Sequence, residues 1–281
     1  MRFRKVYLEI TNICNRSCAF CPGTKRQPAM MDEAAFRLLT DRLQGQTEYL
    51  YFHLMGEPLL HPQLALFLQI AGKKGFRVIL TTNGTLLPQT QDILLAAPAL
   101  HKVNISLHSF EANEDGCPED YLRGCTDFAQ AAAARGITVS LRLWNEDGAQ
   151  TAGLHERNPE ILAFLHRAFP QPWRKNARGS CLSEHIYLNR AERFDWPSMT
   201  AEDGGNAVFC YGLKDQLGVL CDGTAVPCCL DGEGHIPLGD LLTQSVDEIM
   251  NSPRAKAMAE GFRRRRATEE LCRRCGYARR F

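Results

Sequence analysis

The sequence predicts an α/β fold, with a partial (β/α)6 TIM-like barrel over residues 1–200 and a small cysteine-rich domain over 201–281. Three observations point there. β-rich apolar runs alternate with helical periodicities through the first two hundred residues, the pattern of βα units that assemble a parallel sheet. Around residue 200 the composition shifts, through a linker-like stretch at 196–205, to short turn-rich segments. The twelve cysteines fall into two main groups, one near each end.

In chain order, residues 6–10 form a short β-rich run that leads directly into the first cysteines. Residues 31–43 carry Phe36, Leu39 and Leu43 at helical spacing, with Gly45 as the stop. Residues 49–55 read as an aromatic and aliphatic strand. Residues 62–74 read as a helix with proline in its first turn and Gly75 after its last. Strand, helix and strand follow at 76–81, 89–97 and 103–107. A helix at 120–135 ends at Gly136, a strand runs over 137–144, a helix over 158–169, and a weaker sixth strand over 185–188. Six units are too few to close an eight-stranded barrel, so an open one is expected, with ligand chemistry at the C-terminal strand ends.

Composition removes several function classes. Hydrophobic residues at 44% and charged residues at 23% exclude wholesale disorder and rod-like repeats. With 33 Lys and Arg against 32 Asp and Glu, the net charge of +1 is too close to zero for a dedicated polyanion binder. The last twenty-one residues hold eight Arg and two Glu; the run at 263–266 reads as a solvated helix face before it reads as a nucleic-acid surface. The N-terminus lacks a signal-peptide apolar region, and no apolar run is long enough to cross a membrane. A cytoplasmic, reduced protein is expected, in which clustered cysteines bind metal or do chemistry.

Cys14, Cys18 and Cys21 form a CxxxCxxC motif on the loop after the first strand. Three thiolates can hold three irons of a [4Fe–4S] cube and leave the fourth open to a ligand. Zinc, the structural alternative, wants four tetrahedral ligands, usually from paired CxxC units.

With Phe20 just before the last cysteine, the motif resembles that of the radical S-adenosylmethionine (SAM) superfamily. The resemblance implies that the open iron chelates SAM, that one electron cleaves it, and that the resulting 5′-deoxyadenosyl radical abstracts hydrogen from a substrate. It also implies an electron donor of the flavodoxin or ferredoxin type, and adenine contact at Phe20. Met55-Gly56-Glu57-Pro58 resembles the family's GGE motif, with Met55 in place of the first glycine and Glu57 meeting the SAM ammonium; a helix N-terminal charge is the other reading of Glu57. Asn83, in Thr81-Thr82-Asn83-Gly84, matches a family cofactor-binding turn or is a simple Asn-Gly turn. Ser106 stands where relatives contact SAM, and His108 replaces the Asp expected two residues on, which makes it a catalytic candidate. Arg123 resembles an arginine that pairs with the SAM carboxylate. Arg142 lies inside an apolar strand with Leu141 and Leu143 on its other face; an inward Arg142 needs an anionic partner, which a SAM or substrate carboxylate would supply.

The C-terminal piece carries Cys210, then Cys228 after a Gly223-initiated turn, then Cys272 and Cys275 as a CxxC pair. This resembles the SPASM or twitch extension of radical SAM enzymes, in the shortened form in which four thiolates ligate one auxiliary [4Fe–4S] cluster. Cys₄ zinc is the alternative from the residues alone. Of the remaining cysteines, Cys125 has core spacing, Cys221 and Cys229 are alternatives to Cys228, and Cys117 and Cys181 lie in loops.

The resulting expectation is a radical SAM oxidoreductase of dehydrogenase type, the auxiliary cluster accepting an electron from a small-molecule or peptide substrate. The alternatives are a peptide maturase or epimerase, with Cys117 or Cys181 as hydrogen donor, and a non-catalytic iron–sulfur or zinc protein carrying electrons or binding nucleic acid. A first strand that begins near Val6 leaves no room for an N-terminal peptide-recognition domain.

Overall fold

A computed structural model describes residues 2–109, 118–146, 157–177 and 179–280. Its centre is a parallel sheet built from β1 (Lys5–Leu8), β2 (Tyr49–Phe52), β3 (Arg77–Thr82), β4 (Leu100–Ser106) and β5 (Thr138–Glu146). The intervening helices are α1 (Glu33–Leu43), α2 (Leu64–Lys73), α3 (Leu87–Leu95) and α4 (Pro118–Ala133), followed by α5 (Asn158–Ala168). The order β1-β2-β3-β4-β5 is sequential, so each crossover returns to the neighbouring position, as in a (β/α) barrel.

The sheet extends at both ends beyond the expected six units. After α5, a hairpin of β6 (Arg174–Asn176) and β7 (Gly179–Ser183) runs antiparallel onto β8 (Ile186–Glu192), which pairs parallel with β5. At the opposite edge β9 (Gln216–Val219), from the C-terminal segment, pairs parallel with β1 and carries β10 (Thr224–Val226) and β11 (Gly239–Asp240). β6 is exposed at all three positions, so it has no apolar alternation to reveal it in the sequence. The chain ends in α6 (Val246–Asn251), α7 (Pro253–Arg263) and α8 (Glu270–Arg273).

Alternation along the strands separates two environments. Val6 and Leu8, Leu50 and Phe52, Val78 and Leu80, Val103 and Ile105, and Leu141 and Leu143 are fully buried beneath the helices. There Phe36 stacks on Phe67 at 4.0 Å and meets Phe52 edge-on at 5.6 Å. Each such fully buried phenylalanine contributes about 2–3 kcal/mol of hydrophobic stabilisation. Tyr7, Tyr51, Ser140, Arg142 and Trp144 alternate with these residues and so face inward.

Glu9, immediately after β1, is fully buried and ties three segments together. It accepts from Arg26 at 2.6 Å, from the Met55 N–H at 3.2 Å and from the Cys221 N–H at 3.0 Å. Arg26 also donates to the Gly232 carbonyl at 2.8 Å. Burial pushes the Glu9 carboxyl up, and Arg26 opposes it.

Four of the eight C-terminal arginines form local ion pairs. Arg263 and Arg264 pair with Glu260, Arg273 with Asp203, and Arg274 with Glu270. Among the described residues no helix is long and apolar enough to cross a membrane.

Candidate active site and auxiliary cysteine group

The loop after β1 is pinned at its base. Thr11 Oγ1 donates to the Ala29 carbonyl, while Asn12 bonds the Gln27 carbonyl and the Ala29 N–H. Between these anchors the loop presents Cys14 and Cys21, both exposed, and Cys18, half-buried. The Gly23 N–H points at Cys21 Sγ at 3.5 Å, and the Asn83 amide reaches Cys14 Sγ at 3.9 Å.

All three thiols line a cavity of ≈ 630 Å³ at the C-terminal ends of the strands, together with Phe20, Gly56, Glu57, Asn83, Ser106, His108 and Arg142. The structure therefore brings together every predicted residue of the first site except Arg123. Arg123 lies exposed on α4, 3.6 Å from Glu119 one helical turn away, and does not line the cavity. Its i,i+4 partner on the same helix face accounts for the position.

Each strand end makes its own contribution. Gly56 has φ +74°, and a side chain there would run into the Thr11 carbonyl, so the residue must be glycine where the backbone passes the cysteine loop. Met55, in place of a second glycine, instead packs its side chain against Gly232. Glu57 is buried, accepts from the Leu59 N–H at 3.1 Å and the Asn83 N–H at 2.7 Å, and caps the short helical turn Pro58–Leu60. Burial pushes its carboxyl up to about 7 against those hydrogen bonds. The capping and ligand readings of Glu57 are thus compatible, because one carboxylate has four lone-pair sites.

The Asn83 amide also bonds Asn15 at 2.9 Å, and its carbonyl accepts from Tyr121 at 2.7 Å, which ties α4 to the site. Phe20 lies against His108 at 4.7 Å between ring centroids. His108 Nδ1 is 3.1 Å from the Arg142 carbonyl, so only Nε2 is available to a ligand. Burial lowers its pKa to about 4, which keeps the ring neutral near pH 7.

Several cavity residues were not foreseen. His53, Trp144, Arg193, Phe194, Trp196, Cys229 and Leu230 all line it. The period-2 alternation that places Arg142 inward places Trp144 there too, a signal present in the sequence. Trp196 lies in the stretch read as a linker; its partner Phe194 stands 5.5 Å away and contacts Tyr277 from the C-terminus at 5.2 Å. Pro197 and the Gly204–Gly205 pair in that stretch gave no sign of this packing.

The second cysteine group gathers from three elements. Cys210 precedes β9, Cys228 follows β10, and Cys272 and Cys275 lie on and just after α8. Their thiols raise one another's pKa: Cys228 feels its neighbour Cys229 most, then Cys210 and Cys272, and Cys272 feels Cys210 and Cys275. Burial is the largest cause for each and pushes Cys210 up to about 11. Arg254 fixes the entry to α8 by a two-pronged bond to Glu269 at 2.9 and 2.7 Å. Cys221 instead turns its thiol to the Ile10 carbonyl at 3.7 Å, and Cys229 bonds Tyr7 and faces the cavity. Cys125 is in the core under Gly84, and Cys181 bonds the Ser183 carbonyl away from the cavity. Cys117 lies outside the described residues.

Among the described residues no three His, Cys, Asp or Glu side chains stand close enough to hold one metal ion.

A sequence model of the radical SAM superfamily matches residues 8–143, and one of the SPASM iron–sulfur cluster-binding domain matches residues 210–276. The chain belongs to the radical SAM superfamily and carries a SPASM domain behind its radical SAM domain. These domains imply SAM with a [4Fe–4S] cluster in the first and auxiliary iron–sulfur in the second. The donor sets fit: three soft thiols on one cavity-lining loop, and four half-buried thiols whose mutual repulsion a cationic cluster relieves.

Among particular relatives, the S-adenosyl-L-methionine-dependent 2-deoxy-scyllo-inosamine dehydrogenase of Niallia circulans is 28% identical over 114 residues, 38% of this chain and 46% of that one. A tungsten-containing aldehyde ferredoxin oxidoreductase cofactor-modifying protein of Pyrococcus furiosus is 34% identical over 86 residues, 29% of this chain and 24% of that one. The chain spans less than half the length of these curated relatives. BtrN in complex with AdoMet and 2-DOIA superimposes with TM-score 0.54 at 20% identity, over 97% of this chain and 92% of that one. SuiB of Streptococcus suis gives TM-score 0.64 at 14% identity, over 98% and 71%. At these identities the structures share the fold.

Proposed function

We propose that the protein is a radical SAM dehydrogenase that removes hydrogen from a small organic substrate. In this reading Cys14, Cys18 and Cys21 hold a [4Fe–4S] cluster with an open iron, and Cys210, Cys228, Cys272 and Cys275 hold a fully ligated second one. Residues 1–200 form the SAM-binding barrel and 201–281 the auxiliary domain. When bound, the first cluster and SAM supply a 5′-deoxyadenosyl radical that takes a hydrogen atom from a C–H bond.

The chain's own residues decide where that happens. Glu57, held by two backbone N–H groups, receives the SAM ammonium; Gly56, Asn83 and Ser106 shape the surface beside it. Phe20 and His108 wall the same half of the cavity, and neutral His108 offers Nε2 as a proton acceptor. An electron donor of flavodoxin or ferredoxin type serves the exposed cysteine loop.

One observation carries the dehydrogenase reading. Cys229, the residue after Cys228, lines the same cavity as Cys14, Cys18 and Cys21. A substrate in that cavity lies between the site of hydrogen abstraction and a second centre able to accept the remaining electron. The relationship to a SAM-dependent dehydrogenase supports the same reading. Peptide maturation is the second reading, favoured by the shared fold with SuiB, which is known in complex with the precursor peptide SuiA.

Anaerobic reconstitution with iron, sulfide, SAM and dithionite tests the proposal. About eight irons per chain, two cubes, and release of 5′-deoxyadenosine are expected. Absence of 5′-deoxyadenosine overturns the enzyme reading. Incorporation of solvent deuterium into an otherwise unoxidised substrate overturns the dehydrogenase in favour of an epimerase.

A further inference from the structure

The cavity has two halves of different chemistry. The half beside the cysteine loop holds Glu57, Asn83, Phe20 and His108. The other half is centred on the Arg142 side chain, with Trp144 of β5, His53 just after β2, and Cys229 and Leu230 of the C-terminal segment.

Arg142 sits on β5 opposite Ser106 of β4, between the outward-facing Leu141 and Leu143. Its backbone carbonyl faces His108, whereas its guanidinium is 4.4 Å over the Trp144 ring. Its Nε is buried without a hydrogen-bond partner, and among the described residues Arg142 forms no ion pair. The groups close enough to act on its charge are Tyr7, Tyr51 and the Cys229 thiol, with neutral His53 alongside. Lys5 adds a second cation on this side, 5.1 and 5.5 Å from the Tyr7 and Tyr51 ring centroids. No carboxylate is among these neighbours. Burial lowers the Arg142 pKa only to about 10, so it keeps its proton near pH 7.

A half-buried guanidinium whose Nε is buried and unpartnered, and which faces hydroxyls, a thiol and another cation, is a charge that an anion in the cavity would complete. We propose that Arg142 is the seat of a substrate oxyanion, a carboxylate or phosphate group, held against Trp144 beside His53 and Cys229. This makes the substrate an acidic molecule and gives Arg142 a role separate from the SAM carboxylate. The proposal rests on the cavity being the active site. It places the anchored group on the Cys229 side and the rest of the substrate toward the cysteine loop. The planar fork of arginine suits either oxyanion by two parallel N–H bonds, which lysine cannot make.

Calorimetric titration of the reconstituted protein with malonate and with inorganic phosphate, with and without saturating SAM, tests this without turnover. Saturable binding of at least one anion, retained when SAM is bound, is the expected result. Arg142→Gln should weaken that binding by at least about tenfold, and Arg142→Lys by less. Tighter malonate marks a carboxylate substrate, and tighter phosphate a phosphoester. Displacement of the anion by SAM overturns the proposal, because the seat would then be the cofactor's. Equal binding by wild type and Arg142→Gln, or no binding of either anion, overturns it as well. Release of 5′-deoxyadenosine by the same wild-type preparation reports separately on whether the radical SAM reading itself holds.

Discussion

The two cysteine groups differ in how the chain surrounds them. The first sits on one short loop, anchored at its base by Thr11 and Asn12, with two of its three thiols exposed. The second is assembled from segments about sixty residues apart, its thiols half-buried, with Cys210, Cys272 and Cys275 packed against the hydrophobic core. A loop that brings three ligands and leaves its outer side open suits a centre that must accept a cosubstrate. Four ligands from separate elements suit one that only exchanges electrons, since its environment is fixed by the fold.

Substitution can break that contrast at either end. Cys18→Ala is expected to abolish 5′-deoxyadenosine formation and to lower iron from about eight to about four per chain, measured by product chromatography and iron assay. Cys228→Ala should cost a similar amount of iron while SAM cleavage persists, whereas Cys229→Ala should keep both clusters. Iron loss in the Cys229 variant would mean that the two neighbours have exchanged roles.

A smaller effect, on stability, is expected where the two regions are bound together. Glu9→Gln leaves the half-buried Arg26 without its carboxylate and should destabilise by about 2–3 kcal/mol, read from urea unfolding. Arg264→Ala, which loses only an exposed pair with Glu260, should change stability by no more than about 0.5 kcal/mol. If both variants unfold alike, the Glu9 junction does not hold the C-terminal segment to the barrel.

Much of this arrangement was legible in the sequence because it depends on local pattern. The strands with buried aliphatic residues and the CxxxCxxC loop follow from periodicity and spacing, and Glu57, Asn83 and Ser106 from the resemblance of their motifs to those of the radical SAM family. What stayed hidden depends on tertiary placement. β6 and β7 have too little apolar alternation to declare themselves. β9 reads as an isolated turn-rich segment until β1 provides its edge. Arg123 resembles a cofactor ligand in its local sequence, yet helix geometry turns it toward Glu119. The adjacent thiols of Cys228 and Cys229 both interact with Cys210, and of the two Cys229 lines the cavity, a distinction that no spacing rule could draw.

The pairing of β9 with β1 has a consequence for how the chain folds. Val6 and Leu217 are partners in one ladder although some two hundred residues separate them. During synthesis from the N-terminus, the outer edge of the first strand stays unpaired until most of the chain has emerged. Contacts of such long sequence separation form slowly and leave an edge open to other chains meanwhile. The segment that brings the second cysteine group is therefore also the one that seals the barrel's exposed edge, so maturation of the fold and completion of the auxiliary site share a single late step.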